Sequence, residues 1–415
     1  MTSTPARRRR VAALTFAATL VVLLAGVALA EFLARRALGR DFVPGLPMGR
    51  TVQATAIHHP ELGWANRPSL ETRIIAPEFD CALSINSNGL RDREHSYEAD
   101  DDVFRVVLLG DSIAWGWGVD DGLDFADQAE EALGDGVEIL NLSCPGYSTD
   151  QQLLILEHEG WRYEPDLVLL CFVLNDTVGN ASLRGQGMPF AKPRFVVGEN
   201  DELVLENHPA PAPEERAGED GDDGGAGLSL WLRENSALVQ WAFPADSEEQ
   251  LARSSAAAQG DTDGADPAPE KPDGRRRREN DRFKAQIERA CEDLVRPDAI
   301  THRLLDRLAR TCAERGVPLV GFSVSHHHDR YLYSADYEAP PEAKRSPSDY
   351  RSPLAKRLDE AGRALGFETF SVDAAMLAGV AEHGDLHVGD GHLNEIGNRI
   401  VAEQLVEELR PHVER

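Results

Sequence analysis

Ser112, Asp390 and His392 are the residue types that activate a nucleophile. A serine hydroxyl attacks poorly until an imidazole takes its proton and a carboxylate orients that imidazole. Ser112 closes the run Val106-Val107-Leu108-Leu109-Gly110-Asp111-Ser112, a short apolar stretch that stops at Gly-Asp-Ser. Far downstream, Asp390-Gly391-His392 opens the last amphipathic segment of the chain. Donors for a developing oxyanion are also present. Asn141-Leu142-Ser143-Cys144-Pro145-Gly146-Tyr147 follows a second apolar run, and the backbone N–H of the flexible Gly146 can face negative charge. Val173-Leu174-Asn175-Asp176 follows a third run and offers the Asn175 carboxamide.

These groups need a scaffold that delivers loops to one edge. From Val103 onward the pattern alternates β and α. Short continuous apolar runs stand at Val106–Leu109, Val137–Leu142, Leu167–Val173, Val317–Val324 and Phe367–Val372. Runs of that kind are expected of parallel strands buried on both faces. Between them, Ser148 and Gln151 predict a capping box, and Asp298–Arg315 a helix stopped by Gly316. Ser352-Pro353 predicts a helix start in N-cap then N1 order, and Asn394–Arg410 a closing helix. The sum is a three-layer α/β/α domain with a mostly parallel sheet. In such a sheet ligands sit at the carboxyl ends of the strands, where Ser112 falls.

In its four ordered blocks the chain resembles the SGNH/GDSL hydrolase family, named for a serine, a glycine, an asparagine and a histidine. Here these are Ser112, Gly146, Asn175 and His392. The resemblance covers roughly residues 101–198 and 298–415 and implies a flavodoxin-like fold. It implies Ser112 as nucleophile, His392 as general base and Asp390 as the carboxylate that orients His392. The oxyanion hole would be the Ser112 and Gly146 N–H groups with the Asn175 side chain. The chain departs from the pattern at two places. Val173 stands where the family often has glycine, and Asp390 is two residues before His392 rather than three. Asp385 is the alternative orienting carboxylate. The Asp-x-His spacing resembles that of SGNH-like enzymes acting on exported polysaccharide.

The amino terminus bears on compartment. Arg7–Arg10 precede an uncharged run from Val11 to Ala30. At about 1.5 Å per residue the run reaches roughly 30 Å, enough to cross a bilayer. With the arginines cytoplasmic, everything after Ala30 lies outside the cytoplasm. The expectation is a retained single-pass anchor within residues 1–36. Secretion after cleavage at Ala30 is the alternative, because Ala28-Leu29-Ala30 fits a small-residue cleavage site. Residues 37–100 are expected to extend over the core, and residues 101–415 to form the hydrolase domain.

Composition narrows the field further. A net charge of −28 over 415 residues excludes a nucleic-acid surface, which needs Lys and Arg to displace counterions. Five scattered cysteines form no C-x-x-C pair, so no disulfide framework or structural zinc is expected. The stretch at about 199–281 reads as a low-complexity insertion, unstructured over 246–281, with an amphipathic helix at Leu228–Phe243. Arg275–Arg278 reads as a solvated charge run. His326-His327-His328 reads as a polar loop, since adjacent histidines project in different directions and make poor joint metal ligands. His383 and His387 read as surface loop residues. Trp115 and Trp117 flank the serine loop as core or as a face for a sugar. Gly116-Trp117-Gly118 lacks the third glycine of a dinucleotide turn, so no cofactor is expected. The expected activity is a membrane-anchored serine esterase acting on an acyl ester, such as O-acetyl or another short acyl group, of an envelope glycan or lipid. An O-acyltransferase passing the acyl group to a sugar hydroxyl, and a non-catalytic glycan-binding scaffold, are the alternatives.

Overall fold

The computed structural model describes residues 55–75, 79–100, 102–185, 188–212, 287–324, 347–388 and 391–414, with 15, 19, 21–22 and 25–36. Asp390, Leu228–Phe243, residues 246–281 with Arg275–Arg278, and His326–His328 lie outside them. The chain divides into two units, residues 1–50 with 221–255 and residues 51–220 with 256–415. In the first, residues 25–36 are helical, and Arg35 pairs with Glu31 one turn back at 2.8 Å. No helix among the described residues is long and apolar enough to cross a membrane. The expected span at 11–30 falls partly outside those residues.

The second unit is built on a parallel sheet. Its strands are β5 (Phe104–Leu109), β6 (Val137–Asn141), β7 (Leu167–Phe172), β10 (Leu319–Ser323) and β11 (Glu368–Ser371). They lie in the order β11-β10-β7-β5-β6. All four pairings are parallel, with Val106 opposite Ile139 on one side and Leu167 on the other. Each expected run forms its strand, with ends shifted by one or two residues. The runs are apolar throughout because both faces are covered. Val106 and Leu108 face a core shared with α1 (Phe125–Leu133) and α7 (Glu395–Val413). Val107 and Leu109 face a second core with α2 (Thr149–His158), α4 (Ile300–Arg315) and α5 (Pro353–Leu365). Each fully buried Leu or Val in these cores contributes roughly 1.5–3 kcal/mol. Two cores on opposite faces make the three layers.

Sequence signals at most helix ends hold. Ser352 accepts the Ala355 N–H at 3.1 Å ahead of Pro353, and Asn394 accepts the Gly397 N–H at 2.9 Å. Gly316 ends α4 in the left-handed region, at φ 72°. The expected capping box does not form. Ser148 occupies the N-cap of α2 without a side-chain bond, and Gln151 instead donates through Nε2 to Leu62 O at 2.8 Å. Leu62 belongs to the segment before the sheet, and that segment takes the carboxamide away.

That segment contributes two antiparallel hairpins, β1 (Ala56–His59) with β2 (Gly63–Asn66), and β3 (Leu70–Ile75) with β4 (Asp80–Ile85). Trp64 donates its ring N–H to Pro145 O at 3.0 Å, and Asn66 donates to Ser143 O at 3.2 Å. Tyr147 returns a hydrogen bond to Trp64 O at 2.8 Å. These bonds hold the loop that follows β6 and carries Gly146. A further hairpin, β8 (Arg194–Val197) with β9 (Leu203–Glu206), reaches into the stretch expected to be low in complexity from about 199. There the short apolar run Leu203-Val204-Leu205, flanked by Glu202 and Glu206, gives a strand after all. The remaining short elements are α3 (Asn175–Asn180) and α6 (Asp373–His383).

Candidate active site

The chain leaves β5 for β6 on one side and then crosses to β7 on the other. This reversal opens a crevice at the carboxyl end of β5, where open α/β sheets place ligands. Ser112 stands there, two residues past Gly110. A side chain on Gly110 would run into Ala114, with Ser143 Oγ at 3.2 Å and Cys171 Cβ at 3.3 Å. The glycine serves close approach.

His392 reaches Ser112 across 280 positions of sequence. Its Nε2 lies 2.8 Å from Ser112 Oγ, within the reach a general base requires. The imidazole is carried by a stiff return. Gly391 N–H donates to Val388 O at 2.9 Å, Val388 N–H to His392 O at 2.8 Å, and Asn394 N–H to Leu386 O at 2.9 Å. His387 and Leu393 form the bridge at its base. His387 is therefore buried, not a surface residue, and its Nδ1 lies 3.4 Å from Asp385 Oδ1. Asp385 also accepts the His387 N–H at 3.1 Å, so the spare carboxylate turns to His387. His383 is exposed at the end of α6, as expected.

Asn175 and Gly146 come from the loops on either side of Ser112. Asn175 begins α3 directly after β7, and its Nδ2 donates to Asp111 Oδ2 at 2.9 Å. Asp111 is fully buried and accepts the Ile113 N–H through Oδ1 at 2.9 Å. One carboxylate thus ties the serine turn to the asparagine. Burial pushes the Asp111 carboxyl above the usual range, while the Asn175 and Ile113 donors and the nearby His392 draw it back down. Gly146 sits at φ 79°, in the left-handed region that side chains avoid, within a turn closed by Tyr147 N–H to Cys144 O at 3.1 Å. The sheet order thus brings the Ser112, Gly146 and Asn175 loops to three adjacent strand ends, with His392 on Ser112.

The loop after the serine holds the two tryptophans apart in role. Trp115 is buried, and the Arg91 guanidinium lies 4.9 Å over its ring. Trp117 is half-buried, with its ring centroid 5.7 Å from that of His392. Arg91 was not legible as a site residue. It is buried and donates to the carbonyls of Trp115 at 3.0 Å, Val119 at 2.6 Å and Gly116, and pairs with Asp121 at 3.3 Å. Nothing in its local sequence marks that clamp. Asp111 had a signal, its place in Gly-Asp-Ser, but no partner until β7 came beside β5. All five cysteines are free and buried, as small apolar residues would be.

No protein-family model matches the chain, and no curated protein does either. Some solved structures are distantly similar to it. The acetyl xylan esterase AlAXEase is 11% identical over 74% of this chain and 100% of its own, with a TM-score of 0.36. TesA is 12% identical over 74% of this chain and 98% of its own, at 0.35. A lipase/acylhydrolase from Enterococcus faecalis is 14% identical over 75% of this chain and 97% of its own, at 0.31. Likeness this distant carries nothing about substrate or activity.

Proposed function

We propose that the chain is a serine esterase of the SGNH/GDSL type. The single observation that carries this reading is the 2.8 Å approach of His392 Nε2 to Ser112 Oγ at the sheet's crevice. In the first step the Ser112 proton passes to His392 Nε2 as Oγ bonds to the ester carbonyl carbon. The electron pair of the C=O bond moves onto oxygen, and the N–H groups of Ser112 and Gly146 with the Asn175 carboxamide stabilise that charge. The intermediate collapses, the C–O bond to the alcohol breaks, and His392 returns the proton to the departing oxygen. Water then repeats the sequence on the acyl-enzyme and releases the acid. Asp390 is assigned as the carboxylate that holds the His392 tautomer. Asp385 is left out of that role because it faces His387.

The substrate class proposed is an acyl ester, O-acetyl or another short acyl group, on an envelope glycan or lipid. The apolar run at 11–30, read as a retained anchor that places the catalytic unit outside the cytoplasm, supports the envelope part of this reading. Fractionation of cells, with a reporter fused after Arg36, tests that placement; a soluble form beginning at Glu31 would count against the anchor.

Full-length protein in detergent should cleave short-chain aryl acyl esters. Ser112→Ala should lower turnover by a factor on the order of a thousand or more. An unchanged rate in Ser112→Ala would defeat the reading.

A further inference from the structure

We infer that Trp117 and Phe79 form an aromatic shelf for the alcohol half of the ester, and that its occupant is a neutral sugar ring. The inference rests on the esterase reading above and extends it to the substrate. His392 must hand its proton to the leaving oxygen, so the alcohol departs on the imidazole's side of Ser112. The acyl group and its oxyanion lie on the other side, toward Gly146 and Asn175. Trp117 marks the alcohol side, because its ring stands 5.7 Å from the His392 ring. Phe79 meets Trp117 edge-on, with centroids 5.4 Å apart and planes at 84°. A half-buried indole and a half-buried phenyl at right angles therefore adjoin the place where the alcohol leaves.

The shape suits one compact ring. Sugar C–H groups pack on an aromatic face while their hydroxyls stay in water, and such sites combine apolar walls with few polar groups. A long alkyl chain would need a wider apolar surface. Among the described residues, no large exposed aliphatic side chain lies in segments 79–119 or 386–393, which carry the shelf. Asp121 is paired with Arg91, but Asp120 is exposed directly after the Gly118-Val119 stretch, and its carboxylate disfavours an anionic sugar. The shelf is also held in place. Trp117 N–H donates to Ser112 O at 3.1 Å, and Arg91 grips the carbonyls on both sides of Trp117, those of Trp115, Gly116 and Val119. Phe79 and Arg91 both come from the segment preceding the sheet, which makes that segment part of the substrate site.

The test compares esters that share an acetyl group and differ in alcohol, with full-length protein in detergent. Methyl O-acetyl-glucopyranoside, ethyl acetate and decyl acetate serve as probes. Wild type should prefer the sugar ester by kcat/KM. Trp117→Ala should lower the sugar-to-ethyl ratio about tenfold, the scale expected for losing an aromatic contact. Phe79→Ala should move it the same way, and Trp117→Phe should keep most of it. A parallel loss on all esters in Trp117→Ala, or a wild-type preference for decyl acetate, would overturn the shelf. Saturation-transfer NMR of methyl glucopyranoside on Ser112→Ala separates the two levels of inference. Binding that Trp117→Ala abolishes supports the shelf even if no ester is cleaved, and absence of binding rejects it. Hydrolysis that survives Ser112→Ala defeats the esterase reading alone.

Discussion

Asp111 has the smallest lever and the widest consequence at the residue scale. Its two oxygens hold the Ile113 N–H and the Asn175 carboxamide, so it aligns a donor it does not itself replace. Asn175→Ala removes the proposed oxyanion donor and should cost roughly a hundred- to a thousandfold in kcat, with KM little changed. Asp111→Ala frees the same carboxamide and should cost kcat less, about tenfold to a hundredfold, since the donor remains but loses its aim. The two losses should not add. The double variant should resemble Asn175→Ala alone when kcat is measured on an aryl acetate. Additive losses would mean that Asp111 acts on something other than Asn175.

At the element scale, α1 begins on crowded acid. Asp124 is its N-cap and accepts the Ala126 and Asp127 N–H groups, at 3.0 and 3.1 Å. Asp127 receives the Gly122 N–H at 2.9 Å. Burial, then the Asp124 charge, pushes the Asp127 carboxyl up to about 9. In the unfolded chain it ionises near 3.9. Between those values the native state keeps a proton that the unfolded state has lost, so this group lowers stability as pH rises through that window. Asp127→Asn should therefore match wild type near pH 4 and exceed it increasingly toward pH 8. Melting temperatures at several pH values check the sign, and a constant difference would refute it. The strand end before Ser112 makes a second test. Gly110→Ala forces a methyl against Ala114 and should cost on the order of 1–3 kcal/mol in urea unfolding, the usual range for overpacking.

For the molecule as a whole, a buried polar layer joins the elements behind the site. Lys192 and Asp150 are both fully buried and ion-paired. Burial drives Asp150 up and Lys192 down, and each partner opposes the other's shift. The layer continues from Asp150 N–H to Asn180 Oδ1 at 3.1 Å, and from Asn180 Nδ2 to Thr301 Oγ1 at 3.1 Å. Gln152 donates to Asp176 at 3.3 Å. α2 follows Gly146 and α3 begins with Asn175, so these bonds hold the Gly146 and Asn175 loops in register. Lys192→Met leaves Asp150 buried without its counter-charge and should cost roughly 3–5 kcal/mol in urea unfolding. Lys192→Met with Asp150→Asn removes both charges and should recover most of that loss. If the double variant is no more stable than the single, the pair is not the tie described.

Local pattern alone determined much of this protein. Five apolar runs became five strands within a residue or two, because a strand covered on both faces must be continuously apolar. Ser112, Gly146 and Asn175 were legible because each follows such a run, and His392 because it precedes the closing helix; a strand end or a helix start is visible without knowing its neighbours. Partnership was not visible in the same way. That Gln151 serves Leu62 instead of a capping box, that Asp111 holds Asn175, and that Asp385 faces His387 depend on residues far apart in sequence or on the direction of a turn. Only the tertiary structure decided that Trp115 is core while Trp117 stands beside His392, since both lie in the same short loop. Arg91 and Lys192 were silent for the same reason. A buried cation is recognised by the carbonyls and carboxylates that surround it, and those arrive only when the chain has folded.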